Sequence, residues 1–227
     1  MKKFLRMLME PSWKIVDGLS RAAWKSFTQE WASWVMLAAG GIVLMTLSLT
    51  AHFYMPEYRH IAALFLIFPG AVYTAILHKN GLDAAYGRKL SLLHINASIL
   101  FASIFFILIS LYNPFPEYLE ILLLILPEDF QFLIVINWMI HIFISYLLVR
   151  CMFVGMILLE EKCAVIEAFK KSFRLTSHHL LLLLGVFLYL AIALALSALT
   201  VVGYFIVLPY TILMKALLFK KLNEMHS

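Results

Sequence analysis

The chain has 227 residues, 63% hydrophobic and 14% charged, with a formal charge of +5. Soluble domains carry roughly a quarter charged residues, so this balance, with a mean hydropathy of +0.92, excludes an ordinary soluble domain and predicts a membrane chain. The apolar runs lie too close together to leave a soluble domain between them, and the basic residues flank apolar runs instead of interleaving with aromatics, which argues against nucleic acid as a partner.

The basic start MKKFLRMLME has the opening of a signal peptide, but Arg6 and Glu10 break its apolar stretch and no small-residue cleavage site follows, so no processing is expected. Pro11 to Ala32 reads as an amphipathic helix. Trp13, Val16, Trp24, Phe27 and Trp31 share one face, and Lys14, Asp17, Arg21 and Lys25 form a charged stripe beside it. Such a helix lies in the headgroup plane, with indoles at the boundary and cations toward anionic lipid; a groove on a partner protein would use the same pattern.

Span 1 is expected over Ser33 to Phe53 and span 2 over Ile61 to Leu77, broken by Pro69-Gly70. The segment HKNGLDAAYGRK reads as a loop punctuated by Gly81 and Gly87. Span 3 covers Leu92 to Tyr112. After Asn113-Pro114, the stretch Glu117 to Leu126 reaches only ~15 Å as helix, about half a bilayer, and reads as interfacial. Span 4 starts near Gln131, and its apolar character runs to Leu159, interrupted by Arg150. At ~43 Å this helix exceeds the ~30 Å hydrocarbon core, so it tilts, bends near Gly155 or emerges at Arg150. The run from Leu180 to Phe219 is too long for one crossing and divides into spans 5 and 6, with the turn between Ser197 and Gly203.

A cytoplasmic N-terminus places 15 Lys and Arg inside and only Arg59 outside, where Glu57, Glu117, Glu120, Glu128 and Asp129 also fall. The positive-inside bias then puts both termini in the cytoplasm. An internal repeat is also expected. AAWKSF at Ala22 to Phe27 resembles AFKKSF at Ala168 to Phe173, offset by 146, and ALFLIFPGAVYTAIL at Ala63 to Leu77 resembles GYFIVLPYTILMKAL at Gly203 to Leu217, offset by 140. Phe65, Pro69 and Leu77 fall on Phe205, Pro209 and Leu217. An entry helix, a span and a proline-centred span thus occur twice in the same orientation, which predicts a parallel pseudo-twofold along the membrane normal.

Few residues carry chemistry. Asn137, His141 and Ser145 recur every four positions and share one face of span 4. Intramembrane polar side chains of this kind face the bundle interior, as a proton relay or ligand contact or as a neutral imidazole bonded to a neighbouring helix. Pro69 and Pro209 each free a carbonyl and kink their spans, either lining a path or serving packing. Arg150 and Lys215 read as boundary cations that snorkel, Arg150 alternatively pairing with Glu160 or Glu161. His52, Glu57 and His60 cluster in the first outer loop without a metal signature. His78, His94, His178 and His179 read as polar boundary residues. Cys151 and Cys163 read as small, reduced side chains. No nucleophile elbow, phosphate loop, HExxH, CxxC or paired-carboxylate site is present.

The stretch from Leu148 to Lys221 is similar to a broad group of bacterial inner-membrane proteins, the YciC-like proteins and the membrane domain found beside some glycerophosphodiester phosphodiesterases. The resemblance rests on Arg150, Glu160, Ala168, Ser172 and Pro209. It implies an integral inner-membrane protein; the phosphodiesterase catalytic domain is absent and its activity is not implied.

The expectation is an all-α membrane protein of six transmembrane helices with amphipathic interfacial helices, two related hairpins around a central hairpin. Residues 1–32 form the interfacial N-terminal helix, 33–221 the transmembrane domain and 222–227 a cytoplasmic tail. The function expected is non-enzymatic: a scaffold or accessory subunit of the bacterial inner membrane, with lipid, a partner membrane protein or a second copy of the chain as partner and no cofactor. The alternative is a small transporter or channel with a path between the two proline-kinked spans.

Overall fold

The computed structural model describes residues 2–54, 59–90, 98–100, 102–104, 107, 132–177, 179–197 and 201–226, and all the regular structure in them is helical. In chain order the helices are α1 (Lys2–Gln29), α2 (Trp31–Tyr54), α3 (Arg59–Ala85), α4 (Phe132–Cys151), α5 (Val154–Glu161), α6 (Val165–Ser177), α7 (Leu180–Ser197) and α8 (Val201–His226). The expected all-α class therefore holds. Most of span 3 and the whole Glu117–Leu126 segment lie outside the described residues.

Helix α1 is amphipathic, but its apolar side divides in two. Val16, Leu19, Ala23 and Phe27, spaced by three and four, are buried, and the helix packs mainly on α8. Trp24 and Trp31, expected on that same face, are 50% and 60% exposed. The charged stripe of Lys14, Arg21 and Lys25 faces outward, with Arg21 paired to Asp17 one turn back.

Helix α2 follows after Glu30 and packs on α3. The contact needs glycine: a Cβ on Gly41 would stand 2.6 Å from the Tyr73 hydroxyl oxygen. The Tyr73 hydroxyl in turn donates to the Leu37 carbonyl at 2.7 Å. Helix α3 carries Pro69 in its interior and runs past the expected end of span 2. The segment read as a loop is helical to Ala85, because its polar residues are satisfied locally. Asn80 Nδ2 donates to the Ile76 carbonyl at 2.9 Å, and Lys79 pairs with Asp83 at 2.6 Å. Gly87, at φ +69, then ends the helix: Gly87 N–H donates to the Ala84 carbonyl at 3.1 Å and Arg88 N–H to Asp83 at 2.7 Å, the two bonds of a Schellman motif.

The apolar stretch of span 4 breaks at Met152-Phe153, close to Arg150. The short α5 that follows is buried at every position from Val154 to Leu159. Lys162 caps it in the left-handed conformation, φ 51. Helix α6 meets the first half of α7 at a 100° bend, burying Ala168, Ser172, Leu175 and Thr176. Helix α8 carries Pro209 inside and continues to His226, so residues 222–226 extend the helix, with Leu222 buried.

The core gathers where α1, the second half of α3, α5, α6 and the second half of α8 meet. Trp34, Leu82, Phe153, Met156, Ile157 and Phe219 are fully buried there. Phe153 and Phe219 stack at 5.6 Å between ring centroids. Away from this end, large apolar side chains point outward: Met36, Val43 and Leu47 on α2, Phe68 on α3, Met139, Ile142 and Phe143 on α4, Phe187, Leu188 and Ile192 on α7. The stretch Ile142–Glu161 is long and apolar enough to cross a membrane, and the α6–α7 pair passes that test only when taken together across its bend. By length and apolarity, the described residues thus give one or two crossings, not the six expected.

Candidate functional site at the α3–α8 seam

Among the described residues, α3 and α8 share the largest helix–helix contact. Gly81 makes it possible: a Cβ there would lie 2.7 Å from Ile212 Cγ2 and 3.5 Å from the Ala216 methyl. Small residues at a helix crossing let the backbones approach closely. One turn before Gly81, His78 is buried, and its Nε2 sits 3.1 Å from Lys215 Nζ. Its Nδ1 lies 2.8 Å from the Thr74 carbonyl oxygen. The two contacts are compatible only when Nδ1–H donates to Thr74 and Nε2 accepts from the Lys215 ammonium, an assignment made from the hydrogen-bond network.

Lys215 therefore does not snorkel to a boundary; it turns inward to an imidazole on the facing helix. Polar side chains buried in an apolar contact find partners across it because the surroundings offer none. Pro69 and Pro209 belong to the same two helices, but Pro209 precedes Lys215 by ~9 Å of helix rise and Pro69 precedes His78 by ~13 Å. The pair is thus built by the seam and not by the kinks. The side chains of Asn137, His141 and Ser145 lie outside the described residues, as do those of His52, Glu57, His94 and His178.

Next to Pro209, the Tyr210 hydroxyl donates to Ser20 Oγ at 2.7 Å and receives Tyr189 at 3.1 Å. Three helices, α1, α7 and α8, are joined by this hydroxyl chain. At the far end of α3, Arg88 Nη2 reaches both Glu160 carboxylate oxygens at 2.7 and 2.8 Å, and Arg88 Nε lies 3.2 Å from Asp83 Oδ1. The Tyr86 ring is contacted by both Arg88 at 5.0 Å and Lys220 at 5.2 Å, while Lys220 donates to the Ala85 carbonyl at 3.0 Å. Burial, followed by the charge of Glu160, holds the Tyr86 phenol above its ordinary range.

These contacts decide the partners of Arg150. Glu160 is held by Arg88 and Glu161 by Lys171, so neither expected carboxylate pairs with Arg150. Its guanidinium instead lies over Phe173 at 5.0 Å and Tyr146 at 5.7 Å. Its backbone carbonyl accepts from Ser172 Oγ at 2.7 Å. Arg150 and Ser172, both singled out in the sequence, are therefore joined, through a main-chain oxygen. His78, Arg88, Ser172 as a tether and the Ser20–Tyr210–Tyr189 chain were not assigned these roles from sequence. The i, i+4 spacing of Lys79 and Asp83 was the one visible sign that this segment is helical.

A shallow pocket of ≈ 370 Å³ opens beside α6, lined by Glu161, Cys163, Glu167, Lys170, Lys171 and Arg174. Burial pushes the Cys163 thiol above its ordinary value, and the neighbouring Glu161 adds to the effect. Comparison with known proteins adds no assignment: no protein-family model, curated protein or solved structure matches the chain.

Proposed function

We propose that the chain is a non-enzymatic, six-span inner-membrane protein with both termini cytoplasmic, acting as a scaffold or accessory subunit that packs against lipid or a partner membrane protein. The observation that carries this reading is the division of the surface. Large apolar side chains on α2, α3, α4 and α7 face outward, while the packed end gathers Arg88, Lys220, Lys171 and their carboxylate partners. Exposed apolar area on this scale has no place in water. A cationic end beneath it fits the cytoplasmic face.

The order of elements supports an internal duplication. An amphipathic helix, an apolar helix and a helix with an interior proline run through α1–α3 and again through α6–α8. A pseudo-twofold axis between α3 and α8 would relate the two halves. The likeness to YciC-like inner-membrane proteins belongs to the same proposal. A transport path between Pro69 and Pro209 is the weaker reading, because the seam beyond the prolines is closed by Gly81 against Ile212.

Purification from native membranes in mild detergent, with co-purifying proteins and lipids identified, tests the scaffold. A monomer without partners would count against it. Accessibility of a cysteine placed at position 141 to a water-soluble reagent from both sides would favour transport instead.

A further inference from the structure

The pocket beside α6 has a composition that the scaffold reading does not use. Ile166, Lys170 and Arg174 are spaced by four and form one outward row along the helix; Ile166 is 70% exposed, and both cations are exposed as well. Lys171, the third cation of the pocket, is already taken by Glu161. Lys170 and Arg174 have no carboxylate in ion-pair contact among the described residues. Glu167, one turn before Lys170, lines the pocket with them and stands in the first turn of the helix, where a carboxylate complements the helix dipole. Lys162, exposed in its left-handed turn, lies in sequence between Glu161 and Cys163 of the lining.

Orientation matters equally. Helix α6 is bent by 100° from the first half of α7, so if α7 crosses the bilayer, α6 lies in its surface plane. An amphipathic helix so placed presents its cations at headgroup depth. The open pocket of ≈ 370 Å³ has room for a phosphate group at the surface. Val165 and Ile166, in the first turn of the same helix, expose apolar surface.

We propose that this pocket holds the phosphate of an anionic phospholipid, with Lys170 and Arg174 meeting the phosphate oxygens and Ile166 the apolar region below them. The inference rests on the membrane reading above and names a ligand class for one place on it. Arg offers a forked donor set to phosphate and Lys a point charge.

The test uses the full chain, delipidated in mild detergent, with phosphatidylglycerol or phosphatidylcholine added back and bound lipid counted by native mass spectrometry. The unaltered protein is expected to retain phosphatidylglycerol preferentially. The K170Q/R174Q variant, which leaves the Lys171–Glu161 pair intact, is expected to lose that preference by on the order of tenfold, since each basic residue near an anionic surface contributes about 1 kcal/mol. The K89Q/K221Q variant, which removes two exposed cations away from α6, is expected to keep it. Equal preference in K170Q/R174Q and unaltered protein, or loss in the K89Q/K221Q variant alone, would overturn the site. Displacement of the lipid by millimolar inorganic phosphate would overturn the lipid assignment in favour of a free anion. Extraction of the unaltered protein from its membranes by alkaline carbonate, a separate measurement, would remove the membrane reading itself.

Discussion

Lys215 Nζ on α8 and His78 Nε2 on α3 meet at 3.1 Å, 137 positions apart in the chain. Each side chain supplies what the other lacks in an apolar seam, a donor for a lone pair and an acceptor for a charge. Removing Lys215 takes the charged donor away from a buried imidazole. Hydrogen bonds to charged groups contribute about 1.5–3 kcal/mol, and Lys215→Met is expected to destabilise by about 2 kcal/mol. The double variant H78L/K215M is expected to recover most of that loss, because replacing both partners with apolar groups of similar size is often nearly neutral. Thermal unfolding of all four members of the cycle in one detergent checks the coupling.

Two glycines near the end of α3 differ in the reason for their presence. At Gly81 a methyl would press on Ile212 at 2.7 Å, and overpacking costs about 1–3 kcal/mol, partly offset by about 1 kcal/mol of helix propensity. Gly81→Ala is therefore expected to lower the melting temperature, and Ile212→Ala in the same chain to relieve the clash. At Gly87 there is open space but φ is +69, so Gly87→Ala is expected to cost roughly 1–2 kcal/mol through the backbone alone. No change at Ile212 will rescue it.

Ser172 ties α6 to the end of α4 through the Arg150 carbonyl. Ser172→Ala deletes that bond at a fully buried site, and is expected to cost about 1 kcal/mol. Protease susceptibility between Met152 and Cys163 should rise with it, because the bond fixes the chain just before the break.

Burial and the charge of Glu161 raise the Cys163 thiol. A raised thiol holds less thiolate at neutral pH, and alkylation runs through the thiolate. In a Cys151→Ser background, iodoacetamide labelling of Cys163 is expected to be slower at neutral pH than that of an exposed cysteine placed near the C-terminus. Its rate should climb at higher pH than the reference. Glu161→Gln is expected to shift the labelling profile back toward lower pH.

The helical class and most helix positions were legible because apolar runs and prolines leave strong local signals. Trp31–Tyr54 and Leu180–Ser197 are helical over the stretches expected as spans 1 and 5. The loop between His78 and Lys89 was misread because Gly81, taken as punctuation, serves the approach of α8, a contact set by residues more than a hundred positions away. The partners of Arg150 were misassigned for a similar reason. Glu160 and Glu161 are near it in sequence, but Arg88 and Lys171 reach them first in space. Trp24 and Val16 share a side of α1 in a helical projection, yet one is exposed and the other buried, since a wide apolar face can serve two neighbours at once.

The burial of α5 bears on how the chain is made. Val154 to Leu159 find cover on α3 and α6, and Phe153 packs on Phe219 near the end of α8. During synthesis this apolar turn emerges well before Phe219 exists. Until then it must find other cover, and it exchanges that cover for Phe219 when α8 arrives. Chains truncated before Pro209 are therefore expected to be degraded faster than the full chain in a pulse-chase experiment.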